Sequence, residues 1–455
     1  MSAGPVVKTE TGAVRGEIAD GVASFKGIPY AAPPEGALRF RPPAAPKGWD
    51  GIRDAVAFGP AAPQLPPMPG LPPIWRPGDG LDCLQLNVWT PDLGAAGLPV
   101  MVWIYGGMWR HGATRMPHYD GAALARSGVV VVTVDYRVGF EGFGHLPGVP
   151  DNRGLRDQVA ALEWVQREVA AFGGDPGRVT VFGQSAGAAS VALHACSSRT
   201  AGLFRRAIAQ SIPDGYRDPA EAGEITRIMA QAAGAEPTWE GFAALPPEAI
   251  LAVQDAAGTP GSPYGPVIDG DLVTGPPWTA GPRPEIDLIC GFTHEEYRGI
   301  GAVPQAPDLS ALGLDTAAYR RDHPGRSDSE LFVTMASDML VRRPTVRTAD
   351  AHAGAGGRTW LYDFAWRGPT LGAAHGIDVP FVFGTTGTRY AARFLGPAPS
   401  PDVAVLSERI QSAWVRFAAT GDPGWPRYDL SERLMQIWNA PDDHLAACLT
   451  GLTAR

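Results

Sequence analysis

The sequence predicts an α/β architecture, a mostly parallel central sheet with helices on both faces. Two observations carry it. The runs Leu98-Pro-Val-Met-Val-Trp-Ile-Tyr105 and Val129-Val-Val-Val-Thr-Val134 are continuously apolar and rich in β-branched residues. Strands of that composition are buried on both faces and belong to parallel sheets. Strand-like and helix-like periods also alternate along the chain, as α/β units require.

Element by element, the two early runs are read as strands. From Asn152 to Ala171 the period changes, with Leu155, Val159, Leu162, Val165 and Val169 on one helical face, and Phe172-Gly-Gly-Asp-Pro176 stops the helix. Val179–Phe182 reads as a third strand, followed by a helix of small residues over 185–195 that can pack closely on it. Later strands are expected over Asp287–Gly291 and Thr359–Phe364. A long helix carrying Ile410, Trp414 and Phe417 on one side is expected before Gly421. Residues 60–80 are proline-rich and aperiodic. With no internal repeat and no clean linker, residues 1–455 are read as a single domain with excursions.

The chain has 38 Lys+Arg against 47 Asp+Glu, a formal charge of −9, which argues against a nucleic-acid partner. Hydrophobic residues make up 45% of it, enough for a large core. The N-terminus lacks a basic segment followed by an apolar one, and no run approaches membrane-spanning length, so a soluble, cytoplasmic protein is expected. Cys83, Cys196, Cys290 and Cys448 are widely spaced, without a CxxC pair or a nearby histidine at zinc-ligand spacing, and are read as buried free thiols.

The strongest chemical signal is Gly183-Gln-Ser-Ala-Gly187, between the strand Val179–Phe182 and the small-residue helix. The bare pattern is unremarkable in a glycine-rich chain; its strand–turn–helix setting makes it a nucleophile elbow, in which glycines permit a tight turn and the serine projects from the sheet end. A serine hydroxyl needs a base, and the base needs a third group to orient it. In this architecture the order serine, acid, histidine leaves His294, His323, His352, His375 and His444. His375 lies in a loop of small residues, Leu371-Gly-Ala-Ala-His-Gly-Ile-Asp378, just after the strand Thr359–Phe364. The glycine turn Tyr105-Gly-Gly-Met108, after the strand 100–104, can aim backbone amides at the serine to stabilise an oxyanion.

With these pieces in order, the sequence resembles the type-B carboxylesterase and cholinesterase family of α/β-hydrolases from about residue 8 to residue 438. The blocks that carry the likeness are Thr11–Gly16, Phe25-Lys-Gly-Ile-Pro-Tyr-Ala31, Leu38-Arg-Phe40, Asp82-Cys-Leu-Gln-Leu-Asn-Val88, Asn152-Arg-Gly154 and Phe172 through Gly187. The resemblance implies an α/β-hydrolase fold and picks the acid: Gly291-Phe-Thr-His-Glu-Glu296 matches the family's acid loop, giving Glu296 that role and Glu295 the flanking one. It implies a triad of Ser185, Glu296 and His375, and an oxyanion hole of the Gly107, Met108 and Ala186 amides.

Four residues depart from the family pattern. Met108 stands for the third glycine of the oxyanion turn. It keeps its backbone N–H, so the Gly107, Met108 and Ala186 amides can still supply three donors provided residue 108 does not need a positive φ, where a side chain is strained, and its thioether is expected on the acyl side of the pocket, restricting acyl size. Gln184 replaces the usual Glu before the nucleophile. Leu81 replaces a Glu, so a structural ion pair is expected to be missing, and Tyr297 replaces a glycine after the acid. Trp109 and Trp75 are candidate aromatic walls of an apolar pocket, with core packing as the other reading.

The function expected is hydrolysis of small-molecule carboxylic esters through an acyl-serine, with no metal or organic cofactor and no membrane partner, by a monomer or homodimer. An acyl-transferring or lactone-forming enzyme on the same triad is the alternative, separated by product analysis. A non-catalytic binding protein is a third, which Ser185→Ala would leave fully functional.

Overall fold

The two apolar runs become adjacent parallel strands near the middle of an eleven-stranded sheet. The structure, a computed structural model, describes residues 4–67 and 72–448; the others, including 68–71 of the proline-rich stretch, lie outside the described residues. In chain order the sheet's strands are β1 (Glu17–Ala19), β2 (Val22–Pro29), β3 (Gln85–Thr90), β4 (Leu98–Ile104), β5 (Val130–Val134), β6 (Gly174–Gln184), β7 (Arg206–Gln210), β8 (Asp287–Thr293), β9 (Thr359–Phe364), β10 (Leu434–Trp438) and β11 (His444–Ala447). Their spatial order is β11-β10-β9-β8-β7-β6-β4-β5-β3-β2-β1. The seven from β10 to β5 run parallel; β11 at one edge and β3, β2 and β1 at the other are antiparallel. Val6–Lys8, Ala13–Arg15 and Ile52–Asp54 form a separate small sheet.

This is the α/β-hydrolase fold that the sequence predicts. Strands β5, β7, β8 and β9 are buried at every residue, which is why their sequences do not alternate. The expected helices form over Arg153–Glu168, Ala186–Cys196 and Pro401–Thr420. The first passes into a single 3-10 turn, Val169–Phe172, and ends where Gly173 takes a φ of 86°. One continuous hydrophobic core spans the sheet and its flanking helices, while a satellite cluster of Leu309, Tyr319, Leu331 and Met335 sits under the excursion between β8 and β9. All four cysteines are free: Cys83, Cys290 and Cys448 are buried, and Cys196 is half-buried. No described helix is long and apolar enough to cross a membrane.

Candidate active site

Strand β6 ends at Gln184 and a helix begins at Ala186, so the chain must reverse within Ser185. It does so at φ 59° and ψ −126°, a conformation that a residue with a Cβ holds only when its surroundings impose it. Those surroundings are on both sides. The Ser185 amide donates to the Gln210 carbonyl of β7 (2.8 Å), and the Ser185 carbonyl accepts from Ala189 (3.0 Å), opening the helix. A Cβ on Gly187 would lie 2.1 Å from the Ile104 carbonyl oxygen, and one on Gly183 would lie 2.7 Å from Gly187 backbone atoms. Both glycines are therefore required by the approach of helix and strand.

The turn after β4 abuts this elbow: a Cβ on Gly106 would fall 2.9 Å from Ser185 Cβ. Gly107, Met108 and Trp109 follow with φ of 122°, 56° and 53°. The condition attached to Met108 is thus not met, since residue 108 occupies the left-handed region that a side chain disfavours by about 1–2 kcal/mol. External bonds hold the strained turn: Gly107 O accepts from the Arg110 (3.0 Å) and His111 (3.1 Å) amides, Met108 O from Ser262 Oγ (3.1 Å), and Trp109 O from the Gly139 amide (2.7 Å). The Gly107 and Met108 amides have no acceptor among the described residues. The Ala186 amide opens its helix, where the helix itself offers it no carbonyl. The Met108 side chain is 39% exposed, so it lines open space rather than core.

Glu296 and His375 are brought together by two loops laced at the backbone. The Glu295 amide donates to Ala373 O (2.8 Å), the His375 amide to Glu296 O (3.3 Å), and a Cβ on Gly299 would collide with the His375 backbone. Glu296 is fully buried, and its carboxylate is satisfied. Oε1 accepts from Ser211 Oγ (2.6 Å) and the Thr293 amide (2.8 Å), while Oε2 meets Nδ1 of His375 in a close contact. Burial pulls the His375 imidazole toward lower pKa, but the Glu296 carboxylate and its hydrogen bond more than reverse this, and it stands above its ordinary value. With Nδ1 committed to Glu296, Nε2 is left as the basic nitrogen. Glu295 faces elsewhere, pairing with Arg298 (2.9 Å) and Arg367 (2.9 Å).

The other candidate histidines have different partners: His294 binds Asp363 (2.7 Å), His352 binds Thr359 Oγ1 (2.7 Å), His323 stacks on Tyr319, and His444 lies on the edge strand. The Trp109 indole is buried against Phe143, donating to Ser190 Oγ (3.3 Å) on the helix Ala186–Cys196. Trp75 is buried too, its indole donating to Gly80 O (3.2 Å), and no described hydrogen bond or ring contact joins it to Ser185, Glu296 or His375. Leu81 contributes no charge; Arg39 and Glu141 form a buried ion pair at 2.6 Å. Tyr297 turns its ring onto Phe332, toward the excursion (5.1 Å).

Sequence reasoning missed Ser211, which immediately follows β7 and supports Glu296. It also missed the buried network beneath His375, in which Asp378 accepts from Gln210 Nε2 (2.8 Å) and Tyr362 OH (3.3 Å). Ser211 has a φ of 64°, a strain visible only in three dimensions, and nothing in the local sequence marks it.

The carboxylesterase family model matches residues 3–312 and 316–445. A para-nitrobenzyl esterase of Bacillus subtilis is 35% identical over 93% of this chain and 92% of its own length. An acetylcholinesterase of Bungarus fasciatus is 32% identical, over 94% of this chain and 81% of its own. A carboxylesterase structure from Geobacillus stearothermophilus superimposes with a TM-score of 0.84 at 34% identity, covering 97% of both chains.

Proposed function

The chain belongs to the carboxylesterase family and is a carboxylic ester hydrolase, and on that premise we propose that it works through an acyl-serine intermediate carried by Ser185, His375 and Glu296. Ser185 Oγ attacks the carbonyl of a small-molecule ester while His375 Nε2 takes its proton. Glu296 keeps the imidazole in the tautomer that leaves Nε2 basic and stabilises the imidazolium that forms. The Gly107, Met108 and Ala186 amides receive the oxyanion, each such donor lowering the barrier by about 2.7–4 kcal/mol. As the tetrahedral intermediate collapses, His375 returns the proton to the leaving alkoxide. Water, deprotonated by the same nitrogen, then attacks the acyl-serine, and as this second tetrahedral intermediate collapses His375 returns the proton to Ser185 Oγ and the acid is released. None of these steps calls for a metal or an organic cofactor.

The observation that carries this reading is the contact of His375 Nδ1 with the buried Glu296 carboxylate, while His375 Nε2 lies 3.1 Å from the side chain of Gln184, the residue before the strained Ser185. Acid quenching during turnover of p-nitrophenyl butyrate tests it. Intact-mass and peptide analysis should find one butyryl group, on Ser185. Steady turnover with no acyl adduct, or an adduct elsewhere, would remove the acyl-serine from the mechanism.

A further inference from the structure

Among the described residues Ser185 Oγ makes no hydrogen bond, and the nitrogen meant to activate it is already engaged: His375 Nε2 lies 3.1 Å from Nε2 of Gln184. A side-chain amide that donates to the lone pair of a neutral imidazole takes the orbital that the serine hydroxyl needs. Gln184 is buried, at the end of β6, and its backbone packs against Gly106 of the oxyanion turn, where a Cβ would come within 2.5 Å of the Gln184 carbonyl. The amide is thus held beside the imidazole by the same strand that presents the nucleophile.

Resting on the triad reading, we propose that Gln184 is a positioning residue that occupies Nε2 of His375 in the free enzyme and withholds the base from Ser185 until an ester enters the site. The amide suits both halves of the cycle. Its NH2 donates to neutral imidazole, and after rotation its oxygen accepts from the imidazolium, so His375 has a partner in each protonation state. A carboxylate at residue 184 would accept only, and would favour the charged ring, raising its pKa. The other titratable groups acting on His375 are Glu296 on Nδ1 and Asp378, itself held by Gln210 and Tyr362. Tyr390 donates to the Gly376 carbonyl in the same loop (3.2 Å), and Arg298 beside Gly299 is spent on Glu295.

The test uses the full chain and two near-isosteric variants, Gln184→Met, which cannot donate, and Gln184→Glu, which adds charge. Labelling by an alkyl fluorophosphonate without substrate reports how freely His375 activates Ser185, with Ser185→Ala as the blank. Releasing one neutral hydrogen bond should raise the labelling rate of Gln184→Met about fivefold. Gln184→Glu should move the acid limb of kcat/KM upward by about one pH unit or more. A labelling rate in Gln184→Met equal to or below wild type, or an unmoved acid limb in Gln184→Glu, overturns the proposal while leaving the triad intact. Failure of wild type to label above the Ser185→Ala blank would instead remove the triad reading, and this proposal with it.

Discussion

His375 shows how one side chain is tuned by its neighbours. Burial alone would favour the neutral ring, and the Glu296 carboxylate with its hydrogen bond outweighs that, so the folded pKa stands above the ordinary value of about 6.5. Only the neutral imidazole accepts the serine proton, so kcat/KM should fall as pH drops through a midpoint above about 6.5, and Glu296→Gln should shift that midpoint downward. A wild-type midpoint at or below 6 contradicts this balance. The sign for stability is opposite: a raised histidine contributes stability that is complete below the unfolded value and disappears as pH rises through the folded one. Met108 is the other informative residue. In its left-handed backbone a glycine avoids about 1–2 kcal/mol of strain but costs about 0.5–1 kcal/mol of chain entropy, so Met108→Gly should change stability only slightly. The larger effect belongs to specificity. Removing an exposed thioether beside the oxyanion amides should raise the kcat/KM ratio of p-nitrophenyl octanoate to acetate several-fold, and an unchanged ratio would show that Met108 does not limit the acyl group.

Among the elements, the unit of β6, elbow and helix carries the tightest constraint. An alanine Cβ at residue 187 would lie 2.1 Å from Ile104 O and 2.8 Å from Tyr105 O, both backbone atoms that cannot step aside. Gly187→Ala should therefore cost more than about 3 kcal/mol, read as a lower denaturant midpoint or loss of soluble protein; a midpoint equal to wild type would refute the close approach. This unit was legible in the sequence because its glycines are forced by geometry and its strand is a buried apolar run. The edges were less so. The strand read as Val179–Phe182 extends from Gly174 to Gln184, because Asp175, Pro176 and Gly177 hide extended backbone behind turn-forming residues. The acid could not be separated from its neighbour by spacing, since Glu295 and Glu296 are adjacent. The fold separates them by sending one to two arginines and the other to a histidine. Ser211 was illegible for a related reason: its role depends on which strand lies next to β8, a relation between elements distant in sequence.

For the whole molecule, sheet order explains why the site exists where it does. β6, β7, β8 and β9 are consecutive parallel neighbours, and their C-terminal ends lead to Ser185, Ser211, Glu296 and His375 in turn. Segments far apart in the chain thus converge beyond the C-terminal ends of the central strands, the usual place for a ligand in this class of architecture. The buried Arg137–Asp157 pair (2.6 Å) ties the segment after β5 to the helix before β6, holding together the half of the sheet that bears the Gly106–Trp109 turn and Ser185. The role of Ser185 as nucleophile is tested by the initial rate on p-nitrophenyl butyrate for wild type and Ser185→Ala with matched circular dichroism. Wild type should turn over, and the variant should lose about a thousandfold or more of that rate. A folded Ser185→Ala protein that keeps a rate within tenfold of wild type would contradict that role.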